Sequence, residues 1–231
     1  MTVLDIINYK NGIEKDVVRL WNEVQPNDPI SIDVFTRKVL LDINFDRKGF
    51  IAAFSSGQIV GYAQLIVRRY PLLYERDEDT GWVSALIATN EEVAEALLNK
   101  AEEYFSSLKR SKIWYSNYTP NYFLPGVDAD TYPMLYSALL KSGFKEAYEV
   151  FAMDAQLWPK LEYPEGIDEL ESRLASEGIS IHELKSEEIV NLLEFIRDNF
   201  SPDWYLISVD MLSRGVPYDS FTVATIGEEV V

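Results

Sequence analysis

The sequence contains no cysteine. That rules out disulfides, thiolate-ligated zinc and a thiol nucleophile, and it suits a reducing compartment, so a cytoplasmic location is the expectation. There is a single histidine, His182. Alone it builds neither a metal site nor a catalytic triad, so no metal is expected and the residue reads as surface. Basic residues are scarce: 21 Lys and Arg stand against 38 Asp and Glu, for a formal net charge of −17. Such a surface repels nucleic-acid backbones and anionic membranes and tolerates an amine-bearing partner, although the commonest consequence of the charge is solubility. No apolar run approaches the roughly 20 residues that span a bilayer. The opening MTVLDIINYKNG lacks the basic-then-apolar pattern of a secretory signal.

Material for a core is ample. Of 231 residues, 47% are hydrophobic and 13% aromatic, enough for one full domain and part of a second. Residues 3–9 alternate as a strand does. Val17, Leu20, Trp21 and Val24 recur at helical spacing over residues 13–24. Ser31 is placed to cap a helix running to Leu41. Residues 50–54 and 59–67 read as strands joined by the hairpin signal Ser-Ser-Gly-Gln. An acidic connection, ERDEDT, leads into a strand over 81–88, and a helix over 91–108 carries the stripe Val93, Leu97, Ala101, Tyr104 and Leu108. A strand follows at 113–116, then a Pro- and Gly-bearing loop. A helix over 134–141 stops at Ser142-Gly143, and a long strand or bent pair of strands is predicted over 144–157. The order β-α-α-β-β-β-α-β-α-β mixes hairpins with helical crossovers and predicts an α/β fold with a mixed sheet.

LWPKLEYPEG reads as an exit from this domain, with a connecting helix over 167–175. The pattern then restarts: a strand over 179–184, helices over 187–200 and 204–214, a strand over 221–226, and the start of another at Val230. FIAAFSSGQIV and FTVATIGEEVV align without a gap at an offset of 221 − 50 = 171 residues. The expected organisation is a domain over 1–157, a linker over 158–178 and an incomplete second copy over 179–231. That copy is either a half-domain or the start of a unit continuing past Val231.

The helix at 91 opens with TNEEVAEALL, where Thr89 and Glu92 have the spacing of a capping box and Glu91 and Glu92 complement the helix dipole. Glu75, Asp77, Glu78 and Asp79 are either a solvated charge run or groups that bind and deprotonate an amine. Asn117, Tyr118 and Asn121 read as turn residues. Tyr122 and Phe123 either wall a substrate pocket or anchor their loop.

Several stretches together, IVGYAQLIV, YSALLKSGFKEAYEVFAMD and YFLPGVD with a following YP, resemble the GCN5-related N-acetyltransferase family in its two-domain form. The resemblance implies that family's mixed sheet flanked by helices, an acyl-CoA N-acyltransferase fold, followed by a partial second copy. It implies transfer of an acetyl group from acetyl-CoA, as co-substrate, to the amine of a small molecule or peptide. Pantetheine would lie along Leu86, Ile87 and Ala88, with Asn117 near the cofactor. The family's thiolate-protonating tyrosine falls here on Leu139, and Tyr136 and Tyr132, one and two turns earlier, are the substitutes; Glu78 is the candidate base. The family's phosphate-cradling glycines and basic residue are missing between Ile87 and Ala94. The first domain is therefore expected to bind acetyl-CoA weakly or not at all. The alternative is a degenerate domain that binds a ligand, supports a neighbour or forms a homodimer.

Overall fold

The computed structural model describes residues 4–71, 75–119, 121–151, 153 and 165–231. It divides into two compact units, Met1–Phe151 and Ala152–Val231. The first opens with β1 (Asp5–Asn8), α1 (Glu14–Val24) and α2 (Ile32–Phe35), which runs on as a π-helix over Thr36–Leu40. The Ser31 hydroxyl accepts from the Val34 amide, as its place before α2 requires. β2 (Phe50–Ser55) and β3 (Gln58–Ile66) form a hairpin whose turn residues, Ser56 and Gly57, have φ of 51° and 79°. Positive φ at both matches the right-handed twist of the strands. β4 (Thr80–Ala88), α3 (Glu91–Ser107), β5 (Lys112–Tyr115) and α4 (Pro133–Lys141) complete the unit.

The sheet order is β1-β2-β3-β4-β5. All neighbours are antiparallel except β4 and β5, which are parallel and joined across by α3. Two apolar layers result. Val17, Leu20, Trp21, Phe35 and Val39 cover one face of the sheet through Phe50, Tyr62, Ala85 and Ile87. Val93, Leu97, Ala101 and Phe105 of α3, with Leu135 and Leu139 of α4, cover the other through Ala63, Leu65, Val83 and Leu86. The side-chain alternation of β4 changes at one point. Gln64 pairs with Ala85 and Leu65 with Val83, so Ser84 is an inserted residue. A bulge of this kind shifts the strand's facing by one residue. Val83, Leu86 and Ala88 therefore pack on the α3 side while Ala85 and Ile87 pack on the α1 side.

α3 lies unusually close to the sheet at both ends. A Cβ on Gly61 would stand 2.4 Å from Val93 Cγ1, and one on Gly81 would stand 2.3 Å from the Phe105 ring. Only hydrogen fits at these two strand positions. At the other end of the sheet Arg68 and Asp77, both nearly fully buried, form an ion pair at 3.1 Å. The Arg68 guanidinium also donates to the Thr119 carbonyl at 2.6 Å and lies over the Trp82 and Tyr118 rings. Such burial is tolerable because the charge has both a counter-ion and hydrogen bonds.

Two expectations are corrected. The cap of α3 is Asn90, not Thr89: the Asn90 side chain accepts from the Val93 amide at 3.0 Å. Asparagine is as good a cap as threonine or better. The predicted strand over 144–157 is not formed over 144–151, which joins no ladder and is largely exposed. Its β-branched and aromatic residues satisfy a propensity, but propensity without a packed neighbour does not make a strand. Most of the remainder, with residues 158–164 of the expected linker, lies outside the described residues.

The second unit contains α5 (Ile167–Ser176), β6 (Ile179–Glu183), α6 (Ile189–Asn199), α7 (Pro202–Ser213), β7 (Thr222–Ile226) and β8 (Glu229–Val230). Its sheet order, β6-β7-β8, and its antiparallel pairing repeat those of β1-β2-β3. The hairpin pairs Thr225↔Val230 and Ile226↔Glu229 are Phe54↔Ile59 and Ser55↔Gln58 displaced by 225 − 54 = 171 residues, the offset of the sequence repeat. A small core of Leu184, Leu192 and Val223 holds this unit.

The fit of α3 against β4 is testable. Gly81→Ala should destabilise the protein by about 1–3 kcal/mol through overpacking against Phe105. Urea denaturation should show a lower midpoint at unchanged slope.

Candidate active site in the first unit

The β4–β5 ladder runs from Thr80↔Lys112 to Val83↔Tyr115 and stops. One further bond, from the Ser116 amide to the Val83 carbonyl at 2.8 Å, closes it. Beyond that point β4 continues through Leu86, Ile87 and Ala88, paired with β3 on one side only. The two parallel strands thus part, and the cleft between them lies under the C-terminal end of α1.

The cleft is filled. Ser116 and Asn117 have φ of 59° and 35°, and this left-handed pair turns the chain back after β5. Tyr118 is carried under Trp82, with ring centroids 5.7 Å apart. Phe123 and Leu124 return into the cleft, where Phe123 rests on Trp21 at 4.6 Å. The Ser116 hydroxyl donates to the Leu124 carbonyl. What is left is a cavity of about 10 Å³ lined by Trp21, Gln25, Ser84, Tyr115 and Phe123 among others, room for about one water molecule. The Gln25 side-chain oxygen is buried there without a hydrogen-bond partner among the described residues. A larger cavity of about 400 Å³ lies at the β1 edge, between Asp5, Lys10, Asp16 and Phe54, and is broadly open to solvent.

Three further bonds hold the filling loop. The Asn121 amide donates to Asp42 Oδ2 at 2.6 Å. The Tyr118 hydroxyl donates to Asp42 Oδ1 at 3.1 Å. Lys38, on the π-helix, donates to the Tyr122 carbonyl and lies over the Tyr122 and Phe123 rings. Burial holds the Lys38 ammonium below the ordinary lysine range. Of the two readings of Tyr122 and Phe123, the structure bears out the anchor.

The α3 N-terminus carries its own counter-charge. Glu91 accepts from the Lys141 ammonium at 2.7 Å and from the Ser137 hydroxyl at 3.0 Å. These two partners, Lys141 first, hold its carboxyl below the usual range, and Glu91 in turn raises Lys141. The partial positive charge of the helix end is therefore already met by a carboxylate, itself tied to α4.

The remaining candidates do not converge on one point. Tyr132, half-buried beside the Leu86 and Ala88 layer, donates to Asp28 Oδ2 at 2.6 Å. Burial first and that bond second push its hydroxyl up to about 12. Tyr136 donates to Glu146, which raises it as well. Glu78 is exposed in a 3-10 turn before β4, with the nine residues of that strand, about 26 Å long, between it and the Ala88 end. Asn117 donates to the Tyr148 hydroxyl at 2.9 Å. His182, in the second unit, is half-buried: its Nδ1 faces the Glu183 carbonyl, and its Nε2 faces Thr225 and Glu188. Gln25, Asp28, Lys38 and Ser116 carried no motif. Only the mixed composition of the 116–124 loop pointed toward them. Among the described residues no group of three His, Cys, Asp or Glu could hold a metal ion, and no helix is long and apolar enough to cross a membrane.

Acetyl-CoA does not fit this cleft. A ligand site of its class needs on the order of 300 Å³ or more, against about 10 Å³ here. The helix end that would face its phosphates presents Glu91 instead.

The five-stranded mixed sheet, its parted parallel pair and its flanking helices make this a GCN5-related N-acetyltransferase fold. No protein-family model and no curated protein matches the sequence. Among solved structures, the chain is similar to a GCN5-related glucosamine N-acetyltransferase region in a fungal multi-domain GH3 beta-N-acetylglucosaminidase, with a TM-score of 0.73 and 21% identity. That match covers 100% of this chain and 27% of the fungal one. A transcriptional regulator from Bacillus halodurans matches at a TM-score of 0.49 and 16% identity, over 66% of this chain and 100% of that one. An aminoglycoside N-acetyltransferase solved with CoA matches at 0.47 and 12%, over 68% and 97%.

The raised tyrosines carry a pH prediction. Burial raises Tyr104, Tyr115 and Tyr118 strongly above 10, and Tyr132 reaches about 12. The unfolded chain loses these protons near pH 10 while the folded one keeps them, so the native state binds more protons above that point. Their stabilisation is intact below pH 10 and is lost as pH rises toward the folded values. Urea midpoints measured at neutral pH and then stepwise above pH 10 should hold and then fall.

Proposed function

We propose that the protein works in acetyl-CoA-dependent N-acetyl transfer to a small amine, with its first unit as a non-catalytic supporting domain. The filled β4–β5 cleft is the observation that carries the second half of this reading. The Glu91–Lys141 pair at the head of α3 supports it. The transferase half rests on the fold. In this reading acetyl transfer belongs to the repeat that begins at β6, whose opening strands pair as those of the first unit do. The acceptor is the amine of a small molecule or peptide. An amino sugar is the first choice to test, because glucosamine is named for the fungal region of like fold. A net charge of −17 favours such an acceptor over nucleic acid or an anionic membrane. The lack of cysteine fits work in the cytoplasm.

A second reading, a module with no transfer activity at all that supports or dimerises, is favoured by the same cleft. Two measurements separate these. Calorimetry with acetyl-CoA should show no micromolar site that Lys141→Glu destroys; such a site would put the cofactor on the first unit and sink the proposal. Thiol release from acetyl-CoA in the presence of glucosamine should be unchanged, within about twofold, in Tyr132→Phe and Tyr136→Phe. A loss of a hundredfold or more, the scale of a missing acid catalyst, would return the chemistry to the first unit. Neither binding nor release in the wild type would select the module.

A further inference from the structure

Residues 41–44 invert the usual rule of burial. Asp42 and Asn44 are 6% and 7% exposed, while Leu41 and Ile43 are 71% and 68% exposed. The buried pair is fully engaged. Asp42 accepts from the Asn44 amide, the Tyr118 hydroxyl and the Asn121 side chain. The Asn44 side chain donates to the Tyr70 carbonyl at 2.8 Å and accepts from the Arg69 and Tyr70 amides. Asn44 thereby fixes Tyr70, itself 65% exposed, next to the segment that displays Ile43. Three large apolar side chains are thus held outward by a buried network with no slack to turn them in. Each buried polar group would cost about 1–3 kcal/mol if its partners were removed, so the segment cannot flip.

The charge around these side chains is also inverted. Residues 37–48 contain Arg37, Lys38, Arg47 and Lys48 against two acids, Asp42 and Asp46. Asp42 is buried, and Asp46 is bound to Tyr104 and Arg69. Arg37, Arg47, Lys48 and Arg69 are exposed; Arg69 is paired with Asp46 and Arg47 lies over the Tyr9 ring, so Arg37 and Lys48 carry the rim charge that the test below removes. On a chain of net charge −17 this is an apolar patch with a basic rim. Aromatic and aliphatic side chains at the centre with arginine around them are the composition of a protein–protein interface.

We propose that Leu41, Ile43 and Tyr70 form a docking surface for an acidic polypeptide segment, one that presents large apolar side chains between carboxylates. The rim chooses this partner over a second copy of the chain. Two-fold self-pairing would bring Arg37 and Lys48 against their own equivalents, and head-to-tail pairing with the acidic remainder would build a ring or a filament rather than a pair. The carboxylates of the partner meet the rim and speed the encounter, and the apolar side chains cover the patch.

Fluorescence anisotropy tests this with a short labelled peptide in which Leu and Trp alternate with Glu, and with a control in which Lys replaces Glu. The full chain should bind the acidic peptide saturably, more weakly as salt rises, and should not bind the control. Leu41→Asp with Ile43→Asp should weaken binding about tenfold or more without moving the urea midpoint, because both side chains are exposed. Arg37→Glu with Lys48→Glu should weaken it and flatten the salt dependence. The proposal is overturned by no saturable binding, by equal binding of the two peptides, or by binding indifferent to both pairs of substitutions. Sedimentation showing a self-association that Leu41→Asp with Ile43→Asp abolishes would also overturn it, by making the occupant a second copy.

Discussion

The seat of α3 on the sheet is the constraint from which the first unit follows. Gly61 and Gly81 let the helix approach to where any side chain would collide with Val93 or Phe105. A helix held that close, at both ends, fixes the crossover from β4 to β5 and so makes these strands parallel. It also fixes where β5 can begin, and the ladder that results covers only Thr80–Val83. The bulge at Ser84 then rotates the free end of β4, so that one strand supplies both apolar layers. The parting of the strands is thus a consequence of helix packing and strand register.

In an acetyltransferase fold such a parting is where a cofactor arm would be expected to lie. Here the protein fills it with its own chain. Two residues at positive φ reverse the backbone after β5, and Phe123 packs on Trp21 in place of a ligand. At the head of α3, Glu91 and Lys141 neutralise what would otherwise be a bare helix end. Each feature alone would only weaken an anion or a pantetheine arm. Together they take up the space between the parted strands and pair the charge at the head of α3, while leaving the core intact.

The second unit shows how far the same beginning carries a fold. Its three strands pair in the order and antiparallel sense of β1-β2-β3, and its β7–β8 hairpin keeps the register of β2–β3 at the offset of the sequence repeat. Its core consists of three fully buried apolar residues with a partly buried fringe, against two extended layers in the first unit. That difference reflects what packs on the sheet. In the first unit helices cover both faces, and their large buried side chains supply most of the core.

By itself the sequence determined the elements that depend on local pattern. Helical spacing at Val17, Leu20 and Trp21, the Ser-Ser-Gly-Gln turn, the stripe of α3 and the repeat from residue 50 to residue 221 were all legible, because each is set by neighbours a few residues apart. The missing glycines before Ala94 were equally legible. Tertiary structure decided the rest. Thr89 and Asn90 are both good caps, and the folded chain uses Asn90 while Glu91 bonds a helix some fifty residues on. Residues 144–151 have strand composition but no neighbour to pair with. The outward set of Leu41 and Ile43, and the return of Phe123 to Trp21, depend on contacts with Tyr118, Asn121 and α1 that no local pattern encodes. A chain's periodicity states which side of an element is apolar, but only the assembled fold states what, if anything, will cover it.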